Sequence, residues 1–245
     1  MHSGKRNHPW FALIPICLIV IGIFLLMFDF NLPANNQGNG NIINNEITNT
    51  VVDYNKITVE DLDKAVQIAV EKVEDAVIGV TSKAVTKLSG KEVEINYSMG
   101  SGVIYKREEI KDTSGKLVNY LYYVVTNRHV VTFDQQYDEY TRLNLYIYLG
   151  DLDLEVEANL VGYDVKVDIA LLTFKTSKLI NPVEFADSDK LEKGQMAIAI
   201  GNPDGYDYYG SATFGIISGP KRYLSTDTDG DDTVDFSAEY IQHDA

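Results

Sequence analysis

Two side chains in this sequence have the type and setting for proton transfer. His129 closes the run Tyr122-Tyr-Val-Val-Thr-Asn-Arg-His, and Asp168 opens the run Asp-Ile-Ala-Leu-Leu. A histidine at the exit of a buried strand can keep one edge of a neutral imidazole open and act as a general base near neutral pH. An aspartate at the head of an apolar strand is costly to bury alone. An imidazole N–H is one partner for it, and that bond would also fix the tautomer of the ring. Histidine first and aspartate second is a chain order that serves a hydroxyl nucleophile placed later still. Taken singly, each residue has a plainer reading: His129 as a surface histidine on a loop, Asp168 as a strand-end carboxylate capping a turn. Asp164 competes for the acid's role, but it sits in the more turn-like Gly162-Tyr-Asp and ranks behind Asp168.

The elements that must position this pair are mostly strands. Short β-type runs separated by turn residues cover 77–81, 93–97, 102–105, 121–126, 143–149, 154–161 and 169–174, then 196–200, 212–218 and 238–242. Many short strands at regular spacing predict an all-β barrel or sandwich rather than βαβ units. One helix precedes them. Thr58 is placed as its N-cap with Asp61 reaching back, and Leu62, Ala65, Val66, Ala69, Val73, Ala76 and Val77 follow at helical spacing. Its apolar face is expected to pack on the β domain.

Residues 10–28 form an uncharged run of 19 residues, WFALIPICLIVIGIFLLMF. That length suffices to cross a bilayer, and Lys5 and Arg6 ahead of it orient the N-terminus toward the cytoplasm. The organisation read from this is a cytoplasmic tail (1–9), a transmembrane anchor (10–28), an Asn-rich linker (29–57) and a folded domain (58–245) on the extracytoplasmic side of the cell membrane. A long signal peptide is the alternative for the apolar run, and either reading exports the rest of the chain. The single cysteine, Cys17, lies inside the run, so no disulfide or cysteine zinc site can form in the folded domain. The net charge of −15, with no basic cluster beyond the N-terminus, excludes nucleic acid as a partner. The acidic loop 227–232 invites a calcium reading, but its glycine is fourth and Ala238 occupies the twelfth position, which does not match an EF-hand loop. It reads as a solvated loop, and no metal or organic cofactor is called for.

A collinear set of fragments decides the family. Gly100-Ser-Gly-Val-Ile, Val125-Thr-Asn-Arg-His129-Val-Val and Leu160-Val-Gly-Tyr-Asp-Val-Lys-Val-Asp168-Ile-Ala-Leu-Leu come first. Asp187-Ser-Asp-Lys-Leu, Gly194-Gln-Met-Ala-Ile-Ala-Ile-Gly201-Asn-Pro and Gly215-Ile-Ile-Ser follow in order. Together they resemble the protease domain of HtrA/Deg-type trypsin-like serine proteases. The resemblance implies a trypsin-like double β-barrel, the first barrel complete and the second partial, with the active site in the cleft between them. It implies His129 as base and Asp168 as the acid that orients it. Its implied partners are unfolded or exported polypeptide substrates and the membrane itself, and it allows a homo-oligomer.

The closing Tyr240-Ile-Gln-His-Asp-Ala245 is similar to the stretch that leads, in that family, into Asn-Pro-Gly-Asn-Ser-Gly-Gly-Pro. By that resemblance the nucleophile is expected beyond Ala245, and this polypeptide itself is expected to be inactive. Ser101 and Ser218 are decoys, since neither stands in the motif that shapes a nucleophile turn. The reading from another class is a non-catalytic, membrane-tethered pseudoprotease that binds unfolded chains or related protomers.

Overall fold

The computed structural model describes residues 58–133, 142–150, 155–203, 205–226, 234 and 236–245. The expected anchor, the linker and the acidic loop 227–232 lie outside these. Among the described residues no helix is long and apolar enough to cross a membrane.

Helix α1 (Val59–Val73) begins as its sequence dictates. The Thr58 hydroxyl accepts from the Asp61 amide, and the Asp61 carboxylate accepts from the Thr58 amide at 2.9 Å, so two otherwise unpaired donors are satisfied. Ala65, Ala69 and Val73 are its buried stripe. It leads into β1 (Val77–Leu88), β2 (Lys91–Lys111) and β3 (Leu117–Asn127), followed by the one-turn helix α2 (Arg128–Val131). Strands β4 (Arg142–Tyr148), β5 (Glu155–Asp164) and β6 (Ile169–Thr176) complete a closed barrel of order β1-β2-β3-β6-β5-β4. Strands β7 (Met196–Gly201), β8 (Ser211–Thr226) and β9 (Phe236–His243) form a separate three-stranded sheet in that order.

Alternation fills the barrel, because every second residue of a strand faces one side. Tyr122 and Val124 from β3, Leu145 and Ile147 from β4, and Ala170, Leu172 and Phe174 from β6 are all buried. Tyr122 stacks on Phe174 with ring centroids 5.1 Å apart. Its hydroxyl donates to the Lys178 carbonyl and accepts from the Ile180 amide, both at 2.8 Å, so this buried phenol carries no unmet polar group.

The runs 93–97 and 102–105, expected as two strands, are one long strand, β2. Gly100 precedes the second run and Gly102 opens it, and both glycines serve close approach within the continuous strand. A Cβ on Gly102 would lie 2.7 Å from both Val124 Cγ1 and Val80 Cγ2, so its absence lets β1, β2 and β3 pinch together at the barrel wall. The fold also contains α2, which the sequence pattern did not announce.

The three-stranded sheet meets the barrel through a limited set of contacts. Ile198 and Ile200 of β7 enter the barrel's core cluster, whereas Leu191, Ala197 and Ile217 form a small core of their own with Ile241 and Ala245. A polar seam reinforces the junction. Tyr206, on the loop between β7 and β8, donates its hydroxyl to Glu155, which also pairs with Lys83. With its one proton so committed, Tyr206 accepts from the Thr81 hydroxyl at 2.7 Å. Burial first, and the Glu155 hydrogen bond second, push the Tyr206 phenol up to about 12. The Tyr148 ring stacks on Tyr206 with centroids 4.1 Å apart.

The pinch at Gly102 is testable. Gly102→Ala should destabilise the domain by about 1–3 kcal/mol through overpacking against Val80 and Val124. A thermal melt that does not shift would contradict this account of the glycine.

Candidate catalytic site

The site lies where β3 leaves the barrel and β6 enters it. Antiparallel pairing sets Thr126 opposite Ala170 and Asn127 opposite Ile169, so the residues just beyond these pairs must meet. Helix α2 fixes the first of them. Val130 and Val131 are buried anchors, and the Ser82 hydroxyl, itself fully buried, donates to the Val130 carbonyl at 2.7 Å. His129 lies on the open side of this turn, with 42% of its side chain exposed.

Asp168 adopts a left-handed backbone with φ of 53°, unusual for a residue with a Cβ although aspartate tolerates it better than most. The surroundings hold it there. Its carbonyl accepts from the Arg128 amide at 3.0 Å and from Asn127 Nδ2 at 3.1 Å. Its carboxylate then faces α2: Oδ1 accepts from the His129 amide at 3.0 Å, and Oδ2 from His129 Nδ1 at 2.6 Å. Asn127 Nδ2 also reaches Oδ2 at 3.3 Å. An ionised carboxylate can only accept, so the ring hydrogen resides on Nδ1 and Nε2 is left with its lone pair. That tautomer is the one a general base needs.

Opposing influences set the charge of Asp168. Burial is the largest, and alone it would raise the carboxyl's pKa. The imidazole and amide hydrogen bonds of His129, with the positive charge of Arg128, outweigh it and hold the group below its ordinary value. Asp168 is therefore a carboxylate at neutral pH, able to stabilise an imidazolium.

Other sequence candidates are placed elsewhere. The Asp164 carboxylate accepts from the Lys166 and Val167 amides at 2.8 and 3.2 Å, closing the turn that delivers Asp168. Ser101 Oγ accepts from the Asn202 amide at 2.7 Å and so ties β2 to the loop after β7. Ser218 is the extra residue of a bulge in β8, where Ile217 and Gly219 face the consecutive partners His243 and Gln242. Among the described residues no group of three or more His, Cys, Asp or Glu side chains could hold a metal ion. Sequence reasoning missed Asn127, Arg128 and Ser82 as supports of the pair. The first two immediately precede His129 in the sequence, which was the available signal, but their targets become visible only in three dimensions.

The depressed carboxyl of Asp168 has a consequence for stability. A group whose folded pKa lies below its unfolded value stabilises the fold above the unfolded value, and that contribution fades as pH falls. For Asp168 the loss sets in below about pH 4. Asp168→Asn should flatten this part of the stability profile while lowering stability at pH 7. Chemical denaturation at pH 3, 4, 5 and 7 checks it, and parallel profiles for the two proteins would count against the coupling.

The chain is similar to known proteins over much of its length. Residues 100–245 match the trypsin-like peptidase domain. The serine protease Do-like HtrA of Bacillus subtilis is 33% identical over 184 residues, covering 72% of this chain and 36% of that protein. That of Lactobacillus helveticus is 34% identical over 138 residues, covering 56% of this chain and 29% of the relative. The serine protease HtrA-like protein of Staphylococcus epidermidis is 29% identical over 233 residues, covering 94% and 35%. The chain thus spans about a third of the length of these curated relatives. It belongs to the trypsin-like peptidase family, among the HtrA-type serine proteases.

Proposed function

We propose that this chain contributes the histidine and aspartate of an HtrA-type serine endopeptidase that cleaves misfolded or exported polypeptides at the outer face of a membrane. The observation that carries the reading is the 2.6 Å bond from His129 Nδ1 to the Asp168 carboxylate, on a side chain that stays 42% exposed. The uncharged run 10–28 supports the membrane setting.

In this mechanism a serine hydroxyl stands against His129 Nε2. Its oxygen attacks the carbonyl carbon of the scissile peptide while its proton passes to Nε2, and the carbonyl's π electrons move onto oxygen. Asp168 stabilises the imidazolium so formed. As the tetrahedral intermediate collapses, the C–N bond breaks and the Nε2 proton goes to the departing amine, leaving an acyl-serine. Water then repeats the sequence: His129 takes its proton as its oxygen attacks the acyl carbon, and when the C–O bond to serine breaks the Nε2 proton returns to the serine oxygen, releasing the acid product. In the HtrA pattern the serine and its oxyanion donors follow the stretch equivalent to β9. The chemistry needs no metal.

Within the 245 residues, the Ser101 hydroxyl is engaged by Asn202 and Ser218 sits in a strand bulge. By themselves these residues should therefore form no acyl-enzyme. The same placement favours the second reading, a tethered binder of unfolded chains. Two experiments separate them. The 245-residue polypeptide should resist labelling by a fluorophosphonate, and labelling that survives Ser101→Ala and Ser218→Ala would overturn this view of the site. Extended after Ala245 by the corresponding segment of the Bacillus subtilis relative, the barrel should hydrolyse an unfolded protein. Asp168→Asn should then lower turnover by on the order of 10⁴. Undiminished turnover in that variant would remove Asp168 from the relay, and no turnover in the extended parent would leave the binding reading in its place.

A further inference from the structure

Arg128 sits beside the relay in a way that the mechanism above does not use. Its Nε lies 3.8 Å from Asp168 Oδ1, and both side chains are about three-quarters buried, at 24% and 23% exposure. The Nε is itself buried, with no hydrogen-bond partner among the described residues. A desolvated guanidinium edge is costly unless an opposite charge compensates it, and Asp168 is the carboxylate at hand. The side chain is also pinned: Nη1 donates to Thr132 Oγ1 at 3.0 Å, and the Thr132 hydroxyl donates to the Arg128 carbonyl at 3.0 Å.

We propose that Arg128 is a positioning residue of the proton relay, a fixed cation that shares the Asp168 carboxylate with His129 and makes the imidazole less basic than the aspartate alone would. The two cations approach different oxygens, Arg128 facing Oδ1 and the imidazole bonded to Oδ2. Protonating His129 therefore places a second positive charge on a carboxylate already partly neutralised. Other groups of the described residues also face this turn. Against α2, β1 presents the Ser82 hydroxyl, β2 the bare Gly100 and β3 the Asn127 amide. At the end of β5, Asp164 turns its carboxylate onto backbone amides, and Lys166 in the turn before Asp168 is exposed. The consequence for catalysis is a base that remains neutral, and competent, to lower pH.

This inference rests on the reading of His129 and Asp168 as a couple, and one titration distinguishes the two. The imidazole midpoint is followed by NMR in the full chain labelled at histidine, with His129→Gln identifying the resonance. Asp168→Asn should lower the midpoint, because it removes the anion. Arg128→Met should raise it by about half a unit to one unit, since it removes a cation from a partly solvated site. Arg128→Lys should stay closer to the parent. If Asp168→Asn leaves His129 unmoved, the couple itself is wrong. If Asp168→Asn lowers the midpoint but Arg128→Met leaves it unchanged or lowers it, only the role of Arg128 falls. Should Arg128→Met lose the parent's amide spectrum, Arg128→Gln is read in its place. The parent protein supplies an independent check: its Arg128 Nε–H resonance must shift as Asp168 titrates in acid, and an indifferent resonance overturns the inference.

Discussion

The register of β3 against β6 is the constraint on which the site depends. Because Thr126 pairs with Ala170 and Asn127 with Ile169, the chain leaving one strand and the chain entering the next are forced side by side at the rim of a closed barrel. Everything chemical is a continuation of that ladder. The Arg128 and His129 amides reach the carbonyl and carboxylate of Asp168, so the aspartate is held by backbone donors before any side chain takes part. The imidazole bond then completes an arrangement whose geometry the sheet has already set. A one-residue slip of β6 would turn Ala170, Leu172 and Phe174 out of the core and dissolve the pair at the same time.

Packing and function are coupled here through small groups. Ser82, buried in the barrel wall, ends on the Val130 carbonyl, and Val130 lies over Gly100, where an added Cβ would come within 2.8 Å of its side chain. The turn that carries His129 is therefore seated by the barrel itself. The strained backbone of Asp168 is retained for the same reason: the cost of a left-handed residue is offset by the hydrogen bonds its carbonyl and carboxylate make in that conformation.

Much of this was legible in the sequence, for reasons that are local. The Thr58 and Asp61 capping box is a four-residue signal that tertiary structure had no cause to override, and it formed as read. The runs that became β3, β4 and β6 alternate or stay apolar over strand-like lengths. His129 and Asp168 could be named from their positions at strand ends and from the company of their motifs. The unity of β2 was not legible, because glycines that permit close approach look like glycines that make turns. Nor were α2 and the roles of Asn127 and Arg128, since a four-residue helix has no periodicity and a hydrogen bond between strand ends has no signature in spacing. Asp164 and Asp168 illustrate the limit well. Both are aspartates at strand boundaries, and only the fold shows one closing a turn while the other faces a histidine.

The seam at Tyr206 gives the two β units different sensitivities to their medium. A phenol that holds its proton to about 12 remains a donor to Glu155 in any neutral or moderately alkaline surroundings. The join between barrel and sheet can therefore stay clasped under alkaline stress, while acid acts on the His129–Asp168 pair directly through Asp168. That separates the durability of the scaffold from the responsiveness of the His129–Asp168 pair.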